Sequence, residues 1–194
     1  MLMDKILTKT TLFVDLDGTV IDTASGRTFP EDILDVKFKC DTCKAIQYLA
    51  KSGQLLAVCI VSNQGGIEQG HCIYDSIETK LSAVANLLEA YLREANSAID
   101  VTYAFCPVNS KDDVNRKPNV GMLQTTMGVL HKLHHYETKK CDCMMIGDAS
   151  GLPGQFSDSD MMTAVNFEID YMDVDVFTET VLKHMYNGQA GRTN

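Results

Sequence analysis

Four short runs of nearly uninterrupted apolar sequence constrain this chain most: TLFVDL (Thr11–Leu16), LLAVCIVS (Leu55–Ser62), VTYAF (Val101–Phe105) and CMMIG (Cys143–Gly147). Runs this short, without polar alternation, fit strands buried on both faces of a parallel sheet. Between them, Ile77, Leu81, Val84, Leu88, Tyr91 and Leu92 recur at helical spacing and predict a helix over about 75–96. Leu123, Met127, Leu130 and His134 predict another over about 119–135. Ile46 and Leu49 mark a third, starting near Asp41 and stopped near Gly53, and Val176, Val181 and Leu182 mark a last one. Strands alternating with helices predict an α/β fold with a mostly parallel sheet, whose ligands sit beyond the carboxyl ends of the strands.

A chain of 194 residues with 45% hydrophobic content suits one domain with a sizeable core, over about 11–186, followed by a polar tail at 187–194. A net charge of −9 excludes a protein that coats long nucleic acid, which needs a basic stripe, but leaves room for one that grips an end. The N-terminal apolar stretch is too short for a signal peptide, and no run approaches a membrane span, so the expectation is a soluble, cytoplasmic protein. Its seven cysteines are then reduced. Cys40, Cys43, Cys141 and Cys143 offer a conceivable four-thiolate zinc site, and buried structural cysteine is the preferred reading.

Each apolar run leads into a motif with chemical potential. Asp15 and Asp17 follow the first, and alternation points both carboxylates the same way, a costly arrangement unless a cation or a shared proton relieves it. Ser62 and Asn63 follow the second, with Gly65 and Gly66 suited to turning N–H groups toward a phosphate. Lys117 precedes Pro118 at the predicted start of a helix, a favourable place to meet an anion. Asp148 follows the fourth run at the same sheet edge as Asp15. Taken singly, each motif also fits an ordinary polar turn.

In this order the motifs DLDGT, SN, RKP and GD resemble those of the haloacid dehalogenase superfamily of phosphotransferases, from about Thr11 to Asn166. The resemblance implies a Rossmann-like fold and a role for each residue. Asp15 is the nucleophile that forms an aspartyl-phosphate, and Asp17 is first general acid and then general base. Ser62 and Asn63 hold phosphate oxygens, and Lys117 offsets charge on the nucleophile and the transferring group. Asp15, Asp148 and the Asp17 carbonyl bind Mg²⁺. Cations are physically required, because each carboxylate–phosphate charge pair costs about 4 kcal/mol at about 4 Å.

The gaps after Gly18 and after Phe105 are about twenty and about ten residues, too short for a cap domain of about 50 residues. The site is therefore expected to be open or covered by a small flap. Two capless branches compete. The histidinol-phosphate and heptose-bisphosphate phosphatases carry a Cys/His zinc loop, but here Val108 and Asn115 stand where ligands are needed. The polynucleotide kinase 3'-phosphatase family is more similar, through DLDGTVIDTASGRTFP, SNQGGIEQG, RKPNVGM and GDASG…FSDSD…AVN. That likeness implies a DNA 3'-phosphatase of DNA repair, with Asp160 supporting the metal site and Asp158 merely solvated.

Leu152, Gln155 and Leu123 depart from the family pattern, so Arg27, Lys37, Lys39, Lys111, Arg116 and Lys117 must supply the positive lip. A small phosphate ester is the alternative substrate, and an inactive module binding phosphorylated ends is a third reading. With no GxxxxGK[ST] loop, any kinase or ligase is expected to be a separate partner. His131, His134 and His135 are read as helix residues, and Asp112, Asp113, Asp170, Asp173 and Asp175 as solvated charges near turns and caps.

Overall fold

The four apolar runs become four adjacent parallel strands, three of them buried inside the sheet, while VTYAF, expected to be buried on both faces, is half-buried at the sheet's edge. The structure, a computed structural model, describes residues 2–27, 30, 32–134 and 138–190. Its elements are α1 (Leu2–Leu7), β1 (Thr11–Val14), β2 (Ile21–Asp22), β3 (Lys37–Phe38), α2 (Cys40–Ala50), β4 (Ala57–Asn63), α3 (Tyr74–Arg93), β5 (Asp100–Cys106), α4 (Gly121–His134), β6 (Cys143–Gly147), α5 (Ser159–Phe167), β7 (Asp170–Asp173) and α6 (Val174–Ala190). The main sheet has the order β5-β4-β1-β6-β7, and every neighbouring pair is parallel.

Burial on both sides explains the missing polar alternation. Leu12, Val14, Val58, Ile60, Met144 and Ile146 face one way, into a core closed by α2, α3 and α6. Phe13, Cys59, Val61 and Met145 face the other, against Met122, Leu123 and Leu130 of α4 and Ala164 and Phe167 of α5. Phe13 and Phe167 meet edge-on with ring centroids 6.1 Å apart, a favoured aromatic geometry.

These layers also decide the zinc question. Cys43 belongs to the first layer and Cys143 to the second, while Cys40 and Cys141 are exposed. The four thiols cannot converge. Burial pushes the thiols of Cys59 and Cys143 up to about 12 and that of Cys43 up to about 11, so all three stay protonated structural groups.

Several expectations are corrected. A fifth strand, β7, lies at residues first read as solvated acids. Asp170 is paired with Lys5 at 2.5 Å and with Lys9 at 2.6 Å. Paired with two lysines and half-buried, Asp170 behaves as a strand residue, which the bare sequence DYMD conceals. Helices α1 and α5 were not foreseen, because a helix of 6 or 9 residues shows too few turns for a periodic signal. Helix α6 continues to Ala190, so 187–190 are helical rather than a tail, and 191–194 lie outside the described residues. Helix α4 starts at Gly121, two residues later than expected, because the Gly121 N–H donates to Val114 instead of to a preceding turn. Two short antiparallel strands, β2 and β3, pair after Gly18, where a small flap is expected. No helix among the described residues is long and apolar enough to cross a membrane.

Lys9 joins the chain start to the far edge of the sheet. It is 5% exposed, and its ammonium donates to the Cys141 carbonyl at 2.6 Å besides pairing with Asp170. Burial alone raises the Asp170 carboxyl, but Lys5 and Lys9 outweigh it and hold it below the usual carboxylate range. A depressed folded-state pKa stabilises the fold above the unfolded value and loses that contribution as pH falls through the folded value. Lys9→Met is therefore expected to lower unfolding free energy by about 1–3 kcal/mol near neutral pH, with a smaller difference in acid. Urea denaturation checks it, and an unchanged midpoint at neutral pH contradicts the pairing.

Candidate active site

The strand order places a topological switch between β1 and β6. The β4–β5 connection runs through α3 on one face, and the β6–β7 connection runs through α5 on the other. A crevice at the carboxyl ends of two such strands is where open α/β sheets bind ligands. Asp15 leaves β1 and Asp148 leaves β6, so their chain positions meet there. The Asp15 N–H donates to the Ile146 carbonyl at 3.1 Å, which stitches the two strand ends together.

The centre of the site is a buried lysine among carboxylates. The Lys117 ammonium donates to Asp15 Oδ1 and, at 2.7 Å, to Asp160 Oδ1. Asp160 is 1% exposed, and its other oxygen accepts from the Ala149 N–H at 3.2 Å. Carboxylate oxygens of Asp15, Asp148 and Asp160 all lie within 4.8 Å of one another. Three carboxylates face one ammonium, so the fully ionised cluster carries two uncompensated negative charges.

The titration directions express that excess. Burial lifts the Asp15 carboxyl well above its usual range, Lys117 pulls it back, and Asp160 pushes it up again. Burial and Asp160 likewise raise Asp148. For Lys117, burial works against the charge, but Asp15 and Asp160 prevail and keep the ammonium charged. All-oxygen donors with a surplus of two negative charges fit a hard divalent cation. The cluster could hold one through Asp15 and Asp148, with Asp160 supporting through Lys117 and the Ala149 N–H.

Lys117 is not held by a helix end, since α4 begins four residues later. Asn63 holds it instead. The Asn63 side-chain amide donates to the Lys117 carbonyl at 3.1 Å and accepts from the Lys117 N–H at 2.9 Å. The Asn63 amide thus braces Lys117 and keeps one further N–H to donate. Arg116 donates to the Val108 carbonyl at 2.7 Å and so braces the loop leading to Lys117. Ser62 is 2% exposed and accepts from the Gln64 amide at 2.8 Å.

The Asp15 and Asp17 carboxylates part: Asp15 is buried against Lys117, and Asp17 faces outward. Strand pairing ends at Val14, so alternation no longer governs them, and Gly18 turns the chain at a φ of +80°. The Asp17 side chain is 55% exposed and meets Gln64 at 2.8 Å and Lys80 at 3.4 Å. Lys39, at the end of the flap, donates to the Gly18 carbonyl at 2.7 Å and closes the turn. Arg27 lies exposed on the flap, its carbonyl accepting from Thr23 Oγ1 at 2.5 Å. Thr28 and Phe29 of its motif lie outside the described residues, as do His135 and the His134 side chain. His131 is exposed on α4.

The loop after β6 is braced from β7. The Tyr171 hydroxyl donates to the Gly147 carbonyl at 2.9 Å, and Ser150 Oγ donates to Asp173 at 2.6 Å. Gln155 accepts from the Ser150 N–H at 2.7 Å and donates to Asp173 at 2.8 Å. An amide can do both, which an acid at this position cannot. Asp173 is thus a structural acceptor and not a solvated charge. Asp158 sits at the α5 N-cap without a side-chain cap, apart from the cluster. Sequence reading missed Tyr171, Asp173 and Lys80. Lys80 alone left a signal, since it occupies the buried stripe of α3 three residues after Ile77.

Residues 10–177 match the Polynucleotide kinase 3 phosphatase family. The chain belongs to that family. It is similar to a bifunctional polynucleotide phosphatase/kinase of Schizosaccharomyces pombe, 29% identical over 168 residues, 85% of this chain. The chain spans 37% of that relative's length. Two solved structures share the fold. A had-like phosphatase from Mesorhizobium loti superposes with a TM-score of 0.58 at 19% identity, over 90% of this chain and 85% of that one. The D,D-heptose 1.7-bisphosphate phosphatase of B. bronchiseptica, complexed with magnesium and phosphate, gives 0.57 at 17%, over 90% and 99%. This member of the polynucleotide kinase 3 phosphatase family therefore has the haloacid dehalogenase-type phosphatase fold, built around the cluster just described.

Gly18 and Gly147 both leave room for the cluster, since a Cβ on either would lie 2.1 Å from a carboxylate oxygen, of Asp148 and of Asp160 respectively. At Gly18 that Cβ would also sit at a positive φ that already disfavours side chains. Gly18→Ala is expected to lose about 1–2 kcal/mol of stability from backbone strain alone and to lose phosphatase activity because Asp148 must move. Thermal denaturation and a generic phosphate-ester assay check both. Wild-type turnover in the variant would show that Asp148 is not needed where it stands.

Proposed function

We propose that the chain is a Mg²⁺-dependent phosphomonoesterase that removes the 3'-phosphate from polynucleotide ends through an aspartyl-phosphate on Asp15. The observation that carries this reading is the Asp15–Lys117–Asp160 arrangement beside Asp148, at the switch point and inside the family-matched span.

Asp15 is buried at the sheet edge with one oxygen held by Lys117, which leaves the other free to attack phosphorus in line. As the Asp15–phosphorus bond forms, the bond to the leaving 3'-oxygen breaks, and Asp17 gives that oxygen its proton. Asp17 then takes a proton from water, the water oxygen bonds to phosphorus, and the Asp15–phosphorus bond breaks. Ser62 accepts from Gln64, so its own O–H remains to donate to a phosphate oxygen. Lys117 stays charged in its carboxylate pair and offsets the charge gathering on Asp15 and the phosphoryl group. Asp15, Asp148 and the Asp17 carbonyl would hold Mg²⁺, which when bound supplies charge neutralisation between carboxylate and phosphate.

The polynucleotide substrate is supported by the family match. Lys37 on the flap and Lys111 are exposed, and Lys39 and Asp148 both line a pocket of about 390 Å³. These lysines supply local positive charge on a chain whose net charge is −9. Lys117, paired within the cluster, is not part of that lip. Seven free cysteines suit a reducing compartment such as the cytoplasm. The fission-yeast relative is by name both phosphatase and kinase, so a kinase activity working alongside is what this reading expects.

A direct comparison tests the substrate. A 3'-phosphorylated oligonucleotide is expected to exceed histidinol phosphate and sugar phosphates in kcat/KM by at least about tenfold, and chelation of divalent cations is expected to abolish turnover of all of them. A preference of that size for a small phosphate ester would overturn the polynucleotide assignment. Binding of 3'-phosphorylated ends without turnover would favour an inactive recognition module.

A further inference from the structure

A lysine inside an apolar helix face needs an explanation. Lys80 is 5% exposed on α3, between Ile77 and Leu81 on the stripe that enters the first core layer. Lysine is almost never this buried without a partner, because its charge loses hydration. Its ammonium reaches the carboxyl edge of the sheet and meets Asp17 Oδ1 at 3.4 Å. The pairing is lopsided, since the Lys80 side chain is 4% exposed and that of Asp17 is 55%. An exposed carboxylate gains little stability from such a contact, so stability does not account for a buried lysine here.

We propose that Lys80, together with Gln64, is a positioning residue that fixes the Asp17 carboxylate for proton transfer to the leaving oxygen. The inference rests on reading Asp17 as the acid. Gln64 Nε2 donates to Asp17 Oδ2 and to Ser62 Oγ, each at 2.8 Å, and so ties the acid to the phosphate-side hydroxyl. Lys80 takes the opposite oxygen, Oδ1. With both oxygens engaged from the protein side, the exposed carboxylate loses its rotamer freedom before substrate arrives. Each oxygen keeps a further lone pair toward solvent, where an ester oxygen would approach. Proton transfer needs heavy atoms within about 2.6–3.2 Å, and a misplacement of about 1 Å costs on the order of a hundredfold in rate. Lys80 does not itself touch the reacting atoms.

A series of phosphate monoesters with good aryl and poor alkyl leaving groups tests this. The constant kcat/KM reports only the steps up to departure of the alcohol, so slow hydrolysis of the phospho-enzyme does not enter. In Lys80→Met the alkyl ester is expected to lose about 10–100-fold in kcat/KM, while the aryl ester, which departs without a proton, changes by less than about threefold. Gln64→Leu is expected to show the same selectivity, and Lys80→Arg to recover part of the alkyl rate. Asp17→Asn is the reference and should show the selectivity most strongly. Equal losses for both esters in Lys80→Met, or no loss in either, overturn the inference while Asp17→Asn stays selective. If Asp17→Asn is not selective, the reading of Asp17 as the acid fails and the positioning role fails with it. Should Lys80→Met not fold, Gln64→Leu carries the same decision.

Discussion

One ammonium group among three carboxylates organises this protein. Lys117 joins Asp15, at the end of β1, to Asp160, on the first turn of α5. Asp148, at the end of β6, brings the third carboxylate within 4.8 Å. The arrangement gathers more negative charge than the lysine neutralises, and the strand ends, the turn at Gly18 and the loop before α5 all serve to hold it together. Such stored repulsion costs stability, and active sites characteristically carry that cost because the same charge is useful when a cation and a phosphate arrive. The Asn63 amide clamped on the Lys117 backbone shows how much structure is spent on placing a single side chain.

Much of this was legible in the chain itself. The central strands announced themselves because burial on both faces removes polar alternation, and CMMIG maps onto β6 residue for residue. Asp15, Lys117 and Asp148 were found because each directly follows or precedes a strong local signal: an apolar run, a proline, a glycine turn. Asp160 was singled out only through the family likeness, and in the structure it is the second partner of Lys117.

What the sequence concealed lies in long-range pairing. The strand β7 reads as an acidic stretch until Lys5 and Lys9, more than 160 positions away in the chain, neutralise Asp170. Asn63 carries the residue type that suits a phosphate, and its amide also braces a backbone 54 positions on. Asp15 and Asp17 looked equivalent by alternation, but the strand ends between Val14 and the turn, and the two carboxylates part: one enters the buried cluster, the other faces solvent against Lys80. That parting suits two roles, since a nucleophile must stay ionised beside cations while an acid must exchange protons with solvent.

Every proposed step runs through Asp15 as the phosphate carrier. Rapid quenching of Asp17→Asn with a good-leaving-group phosphate ester, followed by mass spectrometry of the peptide containing residue 15, tests it directly. Near-stoichiometric phosphate on Asp15, formed quickly and lost slowly, is the predicted result. Phosphate on another residue, or undiminished ester hydrolysis by Asp15→Asn, would contradict it.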